Sequence, residues 1–407
     1  MYSFALYLYA LAVIIVSPFH KKARLMVKGQ WNTFRILRKK IRKGERYVWF
    51  HAASLGEFEQ GRPLMERLRR EHPEYKILLT FFSPSGYEVR KNYEGADVVC
   101  YLPFDTPGNV RSFLRLAHPC MAFFIKYEFW KNYLHACRRR GIPVYSVSSI
   151  FRENQVFFRW YGRAAYGDVL HCVTHFFVQN DFSRDLLARK GITNATVVGD
   201  TRFDRVLDIS RQAKELPLVE TFRKGARAVQ VAGSSWQPDE DLLIPYFNSH
   251  PDLKLILAPH VVNEEHLREI EGKLERPFVR YTQATVENVA SADCLIVDCY
   301  GLLSSIYRYG QMAYVGGGFG VGIHNVPEAA VYGIPVVIGP NNQKFREAQD
   351  LLREGGCLEV SDAEGYRHVM DRLLSDADFL AERGRIAGEY IAKNAGAADA
   401  VFAAVEF

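Results

Sequence analysis

The stretch from Tyr314 to Pro340, YVGGGFGVGIHNVPEAAVYGIPVVIGP, constrains this chain more than any other. A short apolar run, Met312 to Val315, breaks into five glycines within seven residues (Gly316, Gly317, Gly318, Gly320, Gly322). His324, Asn325, a helix-like run and a second apolar run, Pro335 to Ile338, follow. Strand, glycine loop, helix, strand predicts a parallel βαβ unit with a ligand-sized opening at the carboxyl end of its first strand. Glycines there would let backbone N–H groups approach a phosphate or sugar, and Asn325 with Glu328 would put two polar groups at one helix end. The same pattern is also what tight turns and an acidic helix start require, so the rest of the chain has to decide.

At 407 residues the chain is long enough for two cores. After Gly44, apolar runs alternate with amphipathic ones. Strands are expected at Tyr47–Ala52, Lys76–Phe81, Val98–Leu102, Met121–Ile125, Pro143–Ser148, His175–Gln179 and Ala195–Val198, with helices between most of them. Gly199 to Arg227 is charged and weakly patterned and reads as a linker. A second series follows at Ala228–Ala232, Leu253–Ala258, Pro277–Tyr281, Cys294–Val297, Met312–Val315 and Pro335–Ile338. The fold class expected is α/β, as two Rossmann-like domains with a cleft between them. The domains would run from 21 to 205 and from 206 to 407, with the last helix able to pack back on the first domain.

A net charge of +6 with 48% hydrophobic residues describes a globular protein, not a disordered or strongly nucleic-acid-binding one. The seven cysteines are scattered without CxxC pairs, which reads as buried thiols in a reducing compartment, and no metal-ligand cluster is evident. Tyr2 to Phe19, YSFALYLYALAVIIVSPF, carries no charge, and His20, Lys21, Lys22, Arg24 and Lys28 follow at once. This predicts a membrane anchor over residues 1–20, with the soluble part on the cytoplasmic side and the basic run through Lys43 meeting anionic headgroups. A buried first helix is the alternative.

Polar constellations cluster at strand ends. HAASLGE, His51 to Glu57, fits a capping box with Ser54 and Glu57, or a carboxylate held as general base. IKYEFW, Ile125 to Trp130, places Lys126 and Glu128 two apart, as an exposed ion pair if the strand persists. GDTRFD, Gly199 to Asp204, sets Arg202 between two aspartates, as a surface cluster or as a cation for a departing phosphate. In the second series GSSW (Gly233 to Trp236), Pro259 with His260, and DCYGLLS (Asp298 to Ser304) each follow a strand. GSSWQPDED also reads as a capped helix start with an acidic first turn.

Together these stretches resemble the 3-deoxy-manno-octulosonic acid (Kdo) transferases, membrane-anchored GT-B glycosyltransferases that act on the lipid A precursor. The resemblance spans nearly the whole chain: the anchor, HAASLGE, FFSPSGYE, YLPFDTPGNVRSFL, EFW, GDTRFD, GSS, DCYGLLSSIY and the glycine stretch. It implies Glu57 as catalytic base, Arg202 in the place of a lysine that stabilises the transition state, and Glu128 at or beside a second acidic position. It also implies donor contacts from the GSS serines Ser234 and Ser235, from Pro259 and His260, from Gly301, Leu302 and Leu303, and from Asn325, Val326, Pro327 and Glu328. The chain departs from the family pattern at Lys126, where a glutamate is usual, at His260, where an arginine is usual, and at Leu302, where a glutamate is usual.

The function so implied is inverting transfer of Kdo from CMP-Kdo to a lipid A precursor at the inner membrane surface, in lipopolysaccharide core biosynthesis. No cofactor, metal or nucleic acid takes part, and CMP leaves toward Arg202 and the glycine-loop N–H groups. A sugar-nucleotide epimerase or hydrolase of the same architecture, or a non-catalytic membrane-surface binding protein, are the other classes.

Overall fold

The computed structural model describes residues 2–160, 162, 166 and 168–407. The chain divides into two units, one running to Arg205 and taking in Ala395–Phe407, the other Val206–Asn394.

The first unit opens with helices α1 (Tyr2–Val16) and α2 (Lys21–Lys40). Its strands are β1 (Arg46–Ala52), β2 (Tyr75–Phe81), β3 (Val98–Tyr101), β4 (Pro119–Ile125), β5 (Val144–Ser149), β6 (His175–Val178) and β7 (Ala195–Val197). They form a parallel sheet in the order β3-β2-β1-β4-β5-β6-β7. Side chains of β1 alternate between two cores, as a period of two demands. Trp49 joins Leu78, Phe113, Phe124 and Tyr133 on one face, while Val48 and Phe50 join Phe58, Phe81 and Phe123 on the other. Helix α3 (Leu55–Glu71) covers the second face with Phe58, Leu64, Met65 and Leu68. The order reverses between β1 and β4, where an open sheet leaves a crevice at its carboxyl edge.

The helix Ala397–Ala404 adds Val401 and Phe402 to the Phe58 core. Asp204 fixes its start, accepting the N–H groups of Gly396 at 2.8 Å and Ala398 at 3.3 Å. Asp204→Ala should cost about 1 kcal/mol, a fall of a few degrees in melting temperature readable by differential scanning calorimetry.

The second unit holds β8 (Ala228–Ser235), β9 (Leu253–Pro259), β10 (Phe278–Arg280), β11 (Cys294–Ile296), β12 (Met312–Val315), β13 (Val336–Ile338) and β14 (Cys357–Glu359). The sheet is parallel, in the order β10-β11-β9-β8-β12-β13-β14, so its reversal falls between β8 and β12. Strand β14 was not expected; it has three residues, of which only Cys357 is buried. Five of the seven cysteines are buried and none is bridged.

Two expectations need correction. The stretch read as a linker is two helices, Thr201–Arg211 and Pro217–Arg223. Few apolar anchors (Phe203, Val206, Val219, Phe222) sit among many charges there, and all four are buried. The uncharged N-terminal stretch is not one continuous helix either. Pro18, which lacks an N–H and disfavours helix before it, ends α1 in a turn, and α2 leaves at 119°. No residue of α1 is buried. At 15 residues it is about 22 Å long, short of a ~30 Å hydrocarbon core. Among the described residues no single helix is long and apolar enough to cross a membrane, and only the bent pair passes together, by length and composition.

Candidate functional site

In the first unit the site grows from the two strand ends at the sheet's reversal. Beyond β1, Ser54 is extended (φ −134°, ψ 175°) and starts α3. Glu57, one turn in, reaches back: its Oε2 accepts the Ser54 N–H at 2.8 Å and the Ser54 hydroxyl at 3.1 Å. The carboxylate therefore does act as a cap, but with one oxygen. Its Oε1 makes no hydrogen bond to any described residue. Burial and then the negative charge of Glu128 hold Glu57 above the usual carboxylate range, against the lowering pull of Ser54.

At the end of β4 the fully buried Ile125 is followed by Lys126 in a left-handed conformation (φ 67°). The strand stops there, so the expected Lys126–Glu128 pair does not form. The Lys126 ammonium lies over the Tyr127 ring, 5.2 Å from its centroid. Glu128 turns inward instead. Its Oε2 accepts the Trp130 indole N–H at 2.7 Å and faces His51 Nε2 at 3.3 Å. His51 is fully buried, with Nδ1 2.9 Å from the Thr80 hydroxyl, which in turn accepts the Trp49 indole N–H at 2.8 Å. A line of polar contacts thus crosses β2, β1 and β4 and ends on Glu128.

Arg202 lies in the first turn of the helix after β7 and pairs with one of its flanking aspartates, Asp200. Its Nε and Nη2 each lie 2.9 Å from Asp200 Oδ2. Asp200 is itself buried and also accepts from Gln60 at 3.0 Å and Gln179 at 3.1 Å. Tyr127 joins the two halves of this site. Burial raises its pKa first, and the charges of Arg152, Glu57, Asp200 and Arg202 all act on its hydroxyl. Tyr127 lies inside the IKYEFW stretch but has no role legible there, and Thr80 does not stand out in the sequence. The signal for Thr80 is its pairing with His51 across β1 and β2, which only strand register supplies.

In the second unit β8 bulges between Gly233 and Ser235, with Ser234 left-handed at φ 54°. Ser235 is buried and donates to Glu240 at 2.9 Å, so its hydroxyl is committed inside the fold. Pro259 is buried, whereas His260 is exposed and stacks between Trp236, at 4.6 Å, and His324, at 4.4 Å. Trp236 also donates its indole N–H to His324 Nε2 at 3.1 Å. Gly301 is left-handed (φ 87°), and a side chain on Gly233 would collide with Tyr307 and Leu303, which sets the Gly301–Leu303 turn beside β8. Asn325 donates to Glu328 at 2.7 Å. Val326 and Pro327 are buried, so their contacts could come only through the backbone. The expected helix is a single turn, Pro327–Ala330.

Four of the five glycine N–H groups of the loop are engaged within the fold. Gly316 donates to Gly233, Gly320 and Gly322 to Gly317, and His324 to Gly316. The Gly317 N–H goes to Asp239 at 2.8 Å. Asp239 is buried and also accepts the Tyr314 hydroxyl at 2.7 Å and the Trp236 N–H at 2.9 Å, as the acidic first turn of GSSWQPDED allows. Close packing is the reason for the glycines: a side chain on Gly316 would meet Ser234 O at 2.4 Å, and one on Gly318 would meet Gly339 at 2.5 Å. His324, just past the glycines, packs with His260 and Trp236 from the loops after β9 and β8, and Val321 is exposed. Among the described residues no group of three or more His, Cys, Asp or Glu could hold a metal ion.

Residues 29–205 match the family described as 3-deoxy-D-manno-octulosonic-acid transferase (kdotransferase). The chain is 28% identical to the 3-deoxy-D-manno-octulosonic acid transferase of Aquifex aeolicus, covering 81% of this chain and 86% of that one. It is 27% identical to that of Bordetella pertussis, covering 88% and 86%. Among solved structures, UDP-GlcNAc 2-epimerase from Neisseria meningitidis bound to UDP-GlcNAc aligns with a TM-score of 0.60 at 14% identity, covering 88% and 98%. At that identity the likeness is one of fold.

Proposed function

Because this chain belongs to the 3-deoxy-D-manno-octulosonic acid (Kdo) transferases, we infer that it moves Kdo from CMP-Kdo to a sugar hydroxyl of a lipid A precursor. The observation that carries the chemistry is Glu57, capped on one oxygen and raised in pKa by burial and Glu128 at the sheet's reversal. The acceptor oxygen attacks the anomeric carbon of Kdo, its proton passes to Glu57, and the bond from that carbon to the CMP phosphate breaks with inversion. Arg202 meets the charge that develops on the departing phosphate. Such a displacement asks for no covalent intermediate, cofactor or metal. Glu128, held by Trp130 and His51, keeps Glu57 basic.

For the donor we propose the His260–Trp236–His324 stack as the platform, with Ser234, the Gly301–Leu303 turn and Asn325–Glu328 around it. His260→Ala should raise the KM for CMP-Kdo about tenfold and leave acceptor KM unchanged; equal changes in both would remove it from the donor site. At the membrane, α1 lies in the interface on its exposed apolar side, and the basic α2 faces anionic headgroups on the cytoplasmic side.

Product analysis by mass spectrometry tests the assignment, with CMP-Kdo in one arm and UDP-sugars in the other. Kdo added to the lipid A precursor is the expected result, and turnover of UDP-sugars alone would point to an epimerase. A pH profile follows as well. Only ionised Glu57 takes a proton and its pKa is raised, so kcat should fall on an acid limb above the ordinary glutamate range. The effect on stability has the opposite sign. A raised carboxylate pKa favours the fold below the unfolded value, and that contribution is lost as pH rises through the folded value.

A further inference from the structure

The first unit contains a cavity that the reaction above does not use. It lies between α1 and α2, about 370 Å³ in volume, and its walls include Tyr7, Ala10, Ile14, Val27, Phe34 and Phe104. The size falls within the roughly 300–1,000 Å³ of small-molecule sites. A second cavity of about 550 Å³ shares Ile14, Val27 and Trp31 with it and adds Arg24, Lys28 and Arg35. The helix period explains the pairing. On α2, residues 24, 28, 31 and 35 share one face, so three cations and Trp31 form a stripe beside the apolar face of Val27 and Phe34. Trp31 is 72% exposed, and the chain has no acidic residue before Glu45. An apolar slot that opens onto an unopposed basic stripe complements a ligand with a hydrocarbon tail and an anionic head.

The slot also adjoins the reaction site. Phe104 in its wall packs against Phe82 with centroids 6.1 Å apart, and Phe82 against Trp130 at 4.6 Å. Trp130 is the donor to Glu128. A ligand seated here is within a few side chains of the proposed base.

We propose that this slot receives an acyl chain of the acceptor, with an acceptor phosphate on Lys28 and Arg35. The proposal rests on the acceptor assignment above and deepens it: the α1–α2 bend is part of the acceptor site as well as a membrane contact. Each methylene withdrawn from water strengthens binding roughly fourfold, so chain length sets the preference.

The test compares kcat/KM for the lipid A precursor with that for the same precursor stripped of its acyl chains. The ratio should be large for the parent and fall at least tenfold in Ala10→Trp, which fills the slot. Lys28→Glu should lower kcat/KM for both acceptors through KM, since both keep the phosphate, and flatten their dependence on salt. A ratio unchanged in Ala10→Trp overturns the proposal. Ile14→Trp, one turn further along the same wall of α1, replaces that variant should it not fold. Titration with dodecyl phosphate below its micelle concentration, without donor, reads the slot independently of transfer. Tight binding that Ala10→Trp weakens tenfold and inorganic phosphate does not displace supports it, and equal binding by both proteins overturns it. Failure of the parent to transfer Kdo to either acceptor counts against the transferase reading, while the titration still judges the slot.

Discussion

Glu57→Gln should fold, melt close to the parent and lose on the order of 10²- to 10⁴-fold in transfer rate. The structure sharpens this expectation, because capping and base chemistry use different oxygens of one side chain. The amide oxygen of glutamine can still accept the Ser54 N–H and hydroxyl that Glu57 Oε2 accepts now, so the start of α3 survives. What is lost is a group able to take a proton. Burial and Glu128 disfavour the charged form of Glu57, so its neutral replacement should be at least as stable at neutral pH. The measurement is turnover and melting temperature on the same preparation. Turnover within a few-fold of the parent would make Glu57 a cap only and send the search for a base to Glu128 or His51.

Asp239→Ala is the change expected to damage the fold most. It strands the N–H groups of Gly317 and Trp236 and the hydroxyl of Tyr314, which all converge on this buried carboxylate. At about 1–3 kcal/mol for each buried donor left without a partner, the second unit should lose on the order of 3 kcal/mol or more. For a unit of this size that is a fall of roughly 6–12 °C in its transition. The side chain spans β12, the glycine loop and the start of the helix Gln237–Ser249, so the stack of Trp236, His260 and His324 should loosen with it. A melt unchanged from the parent would show that another group supports the loop. Asp239→Asn, which keeps one acceptor oxygen, should fall between the two.

Much of this was legible in residue order because parallel strands buried on both faces read as largely apolar runs, as β4 does throughout and β1, β8 and β9 do but for one or a few polar residues each. Motifs at their ends could be placed for the same reason. Short edge elements were not legible: Gly355 and Gly356 mark a turn before β14, but with three residues and a single buried one it carries no apolar run of its own. Lys126 shows a second limit. Nothing in its side chain announces a left-handed backbone, yet that one angle decides that Glu128 turns toward His51 and not toward lysine. The third limit is distance along the chain. Asp239 and the loop it holds are 78 residues apart, and only the pairing of β8 with β12 brings them together.

The contact of Gly318 with Gly339 has a consequence for any mutational scan of this protein. A side chain on either would enter the other's backbone, at 2.5 Å in one direction and 2.8 Å in the other. Relaxing one position leaves the obstruction at its partner, so no single or paired replacement opens a route away from glycine. Both sites will therefore return as intolerant of every substitution, with a signature like that of residues touching the donor. The two kinds of intolerance separate in soluble yield: a damaged packing site depletes the protein itself, whereas a damaged contact such as His260 leaves abundant protein that turns over slowly.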